Sequence, residues 1–233
     1  LLGSNKLEVK VHSDSGWEEV QAFNVMGFVG VSDFPEKYIL ITTYYDSFSI
    51  VPSISPGASE SFGVAALIEL AQFFKNNQPK NTILFIAFGG HWQGLIGSRN
   101  FVEELIFQPG PQNIYKNIIS QFNLQLSPDT SVVAPSFFSS FYTQGDSWEI
   151  GETDAVGTII KNTLPEIRKQ LGGFELKFVE EELPLLFFLR ANPLSYYHPF
   201  YYPWYDHEPL QYATPLPAIS FSTLNSFHKY LRT

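Results

Sequence analysis

The fold is decided by YILITTYY at Tyr38–Tyr45, GVAALIELAQFFK at Gly63–Lys75 and NTILFIAF at Asn81–Phe88. The first and third stretches are short, continuous apolar runs rich in β-branched and aromatic residues, which is typical of strands buried on both faces. The second has the Ala and Leu content and the apolar spacing of an amphipathic helix. Because strands that alternate with helices form parallel sheets covered on both sides, these stretches predict an α/β fold with a mostly parallel sheet.

The same alternation continues outward from this centre. A Pro-, Tyr- and Phe-rich stretch at Leu183–Tyr212 breaks it, and we interpret that stretch as an insertion or lid because long irregular segments are usually lids or binding elements. Further strands are predicted at Lys6–His12, Gln21–Gly30, Gln121–Leu126, Phe174–Val179 and Pro217–Ser222, and helices at Gly97–Phe107 and Asp154–Leu171, the latter kinked or divided by Pro165.

Composition narrows the function classes. The chain has 233 residues, of which 44% are hydrophobic and 16% charged, and this excludes a disordered protein. The formal net charge of −9 argues against nucleic-acid binding. The absence of cysteine removes disulfides, thiolate nucleophiles and zinc–sulfur sites. Since the chain begins at Leu1 without methionine, we expect residues 1–233 to be one domain from a longer protein.

Polar residues follow the predicted strands, and in such sheets sites form at the carboxyl ends of the strands. Tyr44-Tyr45-Asp46-Ser47 follows the first buried strand, and Gly89-Gly90-His91-Trp92 follows the next. Other candidates at corresponding places are Ser59 and Glu60, Gln125, Asp206-His207 and His228.

These segments, in this order, resemble the di-zinc aminopeptidase family, which includes the glutaminyl cyclases and non-catalytic relatives such as nicastrin and the transferrin-receptor ectodomain. The similarity extends from about Val20 to His228 and implies a three-layer α/β/α sandwich with a mostly parallel mixed sheet. The matching blocks are Asn24-Val25-Met26-Gly27, Tyr45-Asp46-Ser47, Gly57-Ala58, Gly63 to Leu70, Ala87-Phe88, Gly94-Leu95-Ile96-Gly97-Ser98, Asp206-His207 and Pro217 to Phe221.

The resemblance also implies a metal site, which in the family is formed by two histidines and three carboxylates around two zinc ions. Tyr44 stands where the family has its first histidine ligand, and the bridging aspartate falls on Ser59 or Glu60. Asp46 matches an orienting position beside the ligands, and His228 matches the last histidine ligand.

Three further positions depart from the family pattern. His91 stands where the family has its general-base glutamate, Trp92 where it has a glutamate ligand, and Gln125 where it has an aspartate ligand. Tryptophan cannot bind zinc, and without the metals nothing polarises the scissile carbonyl or acidifies a water. The sequence therefore predicts an inactive peptidase-like domain that takes no cofactor and holds no zinc.

The function predicted from this reasoning is binding or scaffolding, through a protein partner or the remainder of a longer chain. By analogy with the family, the domain is expected to be an extracytoplasmic part of a larger protein, with membrane anchoring as an option. The alternative is an active metallopeptidase or aminoacyl-type hydrolase with a one-metal site rebuilt around Asp46, Glu60, His91 and His228.

Three pairs of interpretations stay open at this stage. Asp206-His207 is either a proton-relay pair or a structural support, and the polar cleft is either a ligand pocket or a vestige. The aromatic run Tyr196–Tyr205 either seals the cleft or binds a partner; a partial lid would place Phe200 and Trp204 inward and Tyr196 and Tyr201 outward.

Overall fold

A computed structural model describes residues 9–14, 16, 18–30, 37–47, 57–107, 114–128, 133–136, 205–214 and 216–223, with helical pieces at 159, 162–163, 165–167 and 169–170. None of the helices in these ranges is long and apolar enough to cross a membrane. The predicted strand Phe174–Val179, most of the predicted insertion at residues 183–212, and His228 lie outside the described residues.

The described part of the chain is built on one six-stranded sheet with the strand order β1-β3-β2-β4-β6-β5. The central strands β3, β2, β4 and β6 are parallel, whereas β1 and β5 pair antiparallel at the two edges. The strands are β1 Val25–Val29, β2 Tyr38–Tyr44, β3 Thr82–Phe88, β4 Ile118–Gln125, β5 Val133–Ser136 and β6 Ala218–Thr223. The prediction of a mostly parallel mixed sheet is therefore confirmed.

Alternation along the strands gives the sheet two apolar faces. Side chains on one face, such as Ile41 and Phe85, pack against helix α1, Gly57–Asn76. Side chains on the other face, such as Leu40, pack against helix α2, Ile96–Phe107, and helix α3, Glu208–Ala213. Helices on both faces of one sheet form the predicted three-layer sandwich.

The three stretches that decide the fold behave as predicted. β2 and β3 are parallel neighbours, with Tyr38 opposite Thr82 and Tyr44 opposite Phe88. Helix α1 connects them, and its Leu67 packs on the sheet. Because β2 and β3 are parallel neighbours, their carboxyl ends lie side by side at the same edge of the sheet.

Two elements differ from the sequence prediction. Residues 9–12 are exposed and lie in no strand, so the prediction of a strand at Lys6–His12 is wrong for the residues that the structure describes. Their alternating pattern finds no sheet partner in the described part of the chain. Strand β5 was not predicted because it is short and contains Pro135. Proline removes one ladder donor and is tolerated at a sheet edge, and β5 lies at the edge of the described sheet, paired with β6.

Helix α1 approaches the sheet closely at Gly63, and this contact generates a stability prediction. A methyl group on Gly63 would collide with Thr43 Oγ1 and lie 3.2 Å from the Leu124 carbonyl oxygen. We expect Gly63→Ala to lower the free energy of unfolding by about 1–3 kcal/mol through overpacking, although alanine gains roughly 1 kcal/mol of helix propensity.

Chemical denaturation measures this effect. Gly57→Ala in the same helix is the matched control, since nothing lies within 4 Å of its added carbon. A Gly63→Ala variant as stable as the Gly57→Ala variant would contradict the close packing of α1.

Candidate active site

The candidate site lies at the carboxyl edge of the parallel strands, on the face covered by α2 and α3. β2 ends at Tyr44, and β3 ends at Phe88, directly before the loop Gly89–Gly97, whose last two residues are the first two of α2. A third segment, Tyr205-Asp206-His207, is buried beside the same edge just before α3. Residues that are distant in the chain therefore meet at one place.

The loop Gly89–Gly97 has an unusual backbone. Gly90 and Gly94 have φ angles of 70° and 73°, which glycine adopts readily, but Leu95 has a φ of 61° and is a non-glycine residue in the left-handed region. The carboxylate of Asp46 accepts the backbone N–H of His91 at 3.2 Å and that of Trp92 at 3.5 Å. Asp46 therefore anchors the loop through its main chain.

His91 is the central side chain of the site and is only 1% exposed. Its Nδ1 lies 2.7 Å from Oδ2 of Asp206, and Oδ1 of Asp206 accepts a hydrogen bond from the Ser98 hydroxyl at 2.9 Å. The Tyr44 ring stacks on the imidazole with 4.0 Å between centroids, and the Trp92 ring lies edge-on at 5.0 Å. A carboxylate at Nδ1 favours the tautomer with the proton on Nδ1, so Nε2 carries the lone pair.

Asp206 is itself held by a belt of buried polar side chains that crosses the sheet. Gln121 Nε2 donates to the backbone oxygen of Asp206 at 3.2 Å and to Thr42 Oγ1 at 3.0 Å. The belt continues from Thr42 to Asn123 at 3.1 Å, from Asn123 to Ser220 at 2.8 Å, and from Ser220 to His207 Nδ1 at 2.6 Å. Since His207 follows Asp206, these bonds close a ring that fixes the turn before α3.

His207 differs from His91 in its hydrogen-bond partners. Burial lowers the pKa of His207 from 6.5 to about 3, because its effect outweighs those of the Asp206 charge and the Gln211 side chain, which act in the opposite direction. Its Nε2 makes no hydrogen bond of ordinary geometry within the described residues. A histidine with this pKa is neutral at physiological pH, and Asp206 pairs with His91 instead, so the geometry favours a structural role for His207.

The structure brings together Tyr44, Asp46, His91, Trp92 and Asp206 from the set of sequence-predicted site residues. Gln125 is buried at the end of β4, and its Oε1 has no hydrogen-bond partner in the described part of the chain. Ser59 and Glu60 lie in the first turn of α1, but their side chains are outside the described part, as are Tyr196, Tyr201, Trp204 and His228.

Sequence reasoning missed the partners of Asp206. Ser98 and the belt residues Thr42, Gln121, Asn123 and Ser220 were not singled out, and neither was the pairing of Asp206 with His91. A signal was present in QFNLQL at Gln121–Leu126, because polar residues occupy every second position of a strand whose other positions are apolar. That period marks a polar strip on one face of a buried strand.

Comparison with known proteins identifies the family. The model of peptidase family M28 matches residues 24–169, which is more than half of the chain. The chain belongs to peptidase family M28. The predicted resemblance to the zinc aminopeptidases is thereby confirmed.

Curated relatives match over part of their length. The chain is 35% identical over 100 residues to a probable zinc metalloprotease of Pyrenophora tritici-repentis, which covers 41% of this chain and 22% of that protein. It is 32% identical over 112 residues to the glutamate carboxypeptidase 2 homolog of Caenorhabditis elegans, covering 46% and 14%. It is also 38% identical over 68 residues to aminopeptidase YwaD of Bacillus subtilis, covering 29% and 14%. The aligned region thus spans about a fifth or less of each relative.

Solved structures agree on the fold. The zinc aminopeptidase BSAP from Bacillus subtilis superposes with a TM-score of 0.50 at 17% identity, over 85% of this chain and 39% of that one. An Acidobacteriales glutaminyl cyclase superposes with a TM-score of 0.54 at 14% identity, over 87% and 58%. At these identities the likeness establishes the α/β architecture alone.

The prediction that the chain takes no cofactor is contradicted by these comparisons. Curated relatives that match part of this chain are named zinc metalloproteases, so the comparisons point to zinc as the cofactor. The prediction was wrong because it counted replacements at the family's ligand positions one by one, and the comparisons agree better with the alternative of a site rebuilt around Asp46, Glu60, His91 and His228. Among the described side chains, no three His, Cys, Asp or Glu residues lie close enough to hold a metal ion, but His91 has the support typical of a zinc-binding histidine.

The buried His207 predicts how stability depends on pH. Its pKa is lower in the folded chain than the value of about 6.5 expected when unfolded, so protons bind preferentially to the unfolded state. The stability contributed by neutral His207 is complete above about pH 6.5 and is lost as the pH falls toward 3, by up to about 1.4 kcal/mol per pH unit.

Denaturation at a series of pH values checks this prediction. His207→Asn keeps a polar nitrogen near Ser220 and should have a shallower acid slope, whereas His12→Asn, at an exposed position, should keep the slope of the original chain. Equal slopes for the original chain and His207→Asn would contradict the assignment.

Proposed function

We propose that this chain acts as a zinc-dependent hydrolase of peptide or aminoacyl amide bonds, with a metal site rebuilt around His91. The observation that carries the proposal is the buried hydrogen bond of 2.7 Å between His91 Nδ1 and Asp206 Oδ2. Membership of peptidase family M28 and the zinc named in the relatives support the same reaction class.

The surroundings of His91 suit a metal ligand. Histidines that bind zinc are neutral, and they usually donate their second ring N–H to a carboxylate, which fixes the tautomer and the ring orientation. Here Asp206 accepts that proton, Ser98 holds Asp206, and Tyr44 supports the flat face of the ring. With the proton held on Nδ1, Nε2 is the ring nitrogen that would donate its lone pair to a metal.

The other ligands are assigned from the sequence. Glu60 stands near the position of the family's bridging carboxylate, and His228 stands at its last histidine. Two histidines and one glutamate are an established ligand set for a catalytic zinc, in which the fourth position is left open for water. When bound, such a zinc lowers the pKa of its water and polarises the carbonyl of the substrate.

Asp46 takes a different role from the one in the rebuilt site considered above. Its two carboxylate oxygens accept the backbone N–H groups of His91 and Trp92, so we assign it to holding the loop and not to the metal. Asp206 is buried and bonded to His91 Nδ1, so it would orient this ligand from its other ring nitrogen.

A second candidate function is binding without hydrolysis, and a specific observation favours it. Tyr44 and Trp92 occupy positions of metal ligands in the family, and both rings pack on His91, where they add apolar surface instead of donors. In this case residues 1–233 would form one peptidase-like binding domain of a larger extracytoplasmic protein. The partner would contact the aromatic run that contains Tyr196, Tyr201 and Trp204.

Zinc content and hydrolysis distinguish the two functions. We expect the chain purified without chelator to contain stoichiometric zinc and to hydrolyse aminoacyl p-nitroanilides in a reaction that a chelator abolishes. Removing the support of a zinc ligand typically costs 10–100-fold in metal affinity, so Asp206→Asn should weaken zinc binding by about that factor and His91→Ala should weaken it further.

The exposed His12 provides the control, because His12→Ala should leave zinc content and hydrolysis unchanged. Peptide binding by isothermal titration calorimetry, without any chelator-sensitive hydrolysis, would instead support the second candidate and overturn the first. Equal zinc affinities for the original chain and His91→Ala would exclude His91 as a ligand.

A further inference from the structure

One side-chain amide closes the loop that carries His91. Asn24, just before β1, donates from Nδ2 to the carbonyl oxygen of Gly97 at 2.9 Å and accepts the N–H of Gly89 on Oδ1 at 3.3 Å. Gly89 and Gly97 are the two ends of the loop, so a single residue from outside the loop joins both ends.

The closure leaves no room at the base of the loop. A methyl group on Gly97 would collide with the carbonyl oxygen of Gly89 and lie 2.6 Å from Asn24 Oδ1. Asn24 is in turn held from the other side, because the Tyr45 hydroxyl donates to the neighbouring carbonyl oxygen of Phe23 at 2.6 Å. The base of the loop is therefore a fixed contact among the ends of β1, β2 and β3.

The loop needs external restraints because its own backbone is strained. Leu95 lies in the left-handed region at a φ of 61°, where a side chain with a Cβ atom costs free energy. Inside the loop, Asp46 supplies one restraint through the N–H groups of His91 and Trp92. Asn24 supplies the other at the base.

We propose that Asn24 is a positioning residue, which sets the loop Gly89–Gly97 so that the His91 imidazole meets Asp206. The two partners come from different elements, 115 positions apart in the chain, so their hydrogen bond depends on where the loop stands. Groups that act together at a site must be held within about 0.5 Å of their working geometry. The effect on zinc rests on the function proposed above, but the effect on His91 does not.

Asparagine is required here because the two contacts need one donor and one acceptor. Asn24→Asp preserves the size of the side chain and the acceptor for Gly89, but it removes the donor to Gly97 and places a carboxylate oxygen against a carbonyl oxygen. Asn77 provides a matched control, since its Nδ2 also donates to a backbone oxygen, that of Phe73, at 2.9 Å, at an exposed position directly after α1.

The experiment measures His91 directly in the metal-free chain labelled with ¹⁵N. We expect a strongly downfield Nδ1–H proton resonance for a histidine bonded to a buried carboxylate, assigned by its loss in His91→Gln. In Asn24→Asp this resonance should shift upfield or broaden, and zinc affinity, measured by chelator competition, should fall about tenfold or more. In Asn77→Asp both should match the original chain.

The outcomes separate the two proposals. An unchanged His91 resonance and unchanged zinc affinity in Asn24→Asp, even with a lower melting temperature, would show that Asn24 is merely structural and overturn the inference. A changed resonance in a chain that binds no zinc would support the positioning role and refute the proposed function. If Asn24→Asp does not fold, Asn24→Ser, which retains a hydroxyl donor and acceptor, is measured in the same way with the same criteria.

Discussion

The hydrogen bond between His91 and Asp206 is the constraint on which the rest of the site depends. It joins a loop that follows β3 to a turn that precedes α3, and both groups are removed from water. A buried polar group without a partner costs free energy comparable to that of a whole hydrogen bond, so each end of this pair must be placed accurately. The surrounding structure is arranged accordingly: Asp46 and Asn24 hold the loop, whereas Gln121 and Ser98 hold Asp206.

The polar belt beneath Asp206 explains how a buried sheet face can carry so many hydrogen-bonding groups. Thr42, Asn123 and Ser220 lie side by side on three neighbouring parallel strands, in the register that pairs Thr42 with Asn123 and Asn123 with Ser220. Each side chain therefore finds its partner on the adjacent strand, and little polarity is left unsatisfied. The buried atoms that lack such partners in the described part include His207 Nε2, and this is the group whose pKa is lowered most clearly by burial.

The sequence predicted the parts of the fold that local pattern determines. β2, α1 and β3 are each marked by a short, strongly apolar stretch of sequence. Because βαβ connections are almost always right-handed, these three stretches were enough to predict that β2 and β3 are neighbours with α1 packed across them. Pattern failed for β5, whose Pro135 is compatible with a strand only at an edge, and for residues 9–12, whose alternation finds no partner. It also predicted that Tyr44, Asp46 and His91 converge, because carboxyl ends of parallel strands share one edge. The pairing of His91 with Asp206 could not be predicted, since it depends on how the chain returns across 115 positions.

The chemistry of the site likewise depends on which side chains are neighbours in the folded chain, and not only on which residue stands at each position of the family motif. Position by position, the resemblance counts His91 and Trp92 as two lost glutamates, and this argument led to the incorrect prediction that no zinc is used. In space, His91 gains a buried carboxylate partner and a stacked aromatic ring, which are the supports that give an imidazole one tautomer and one orientation. Tyr44 and Trp92 then need no metal-binding atoms of their own. Their rings pack on His91, the proposed metal ligand, and restrict its orientation.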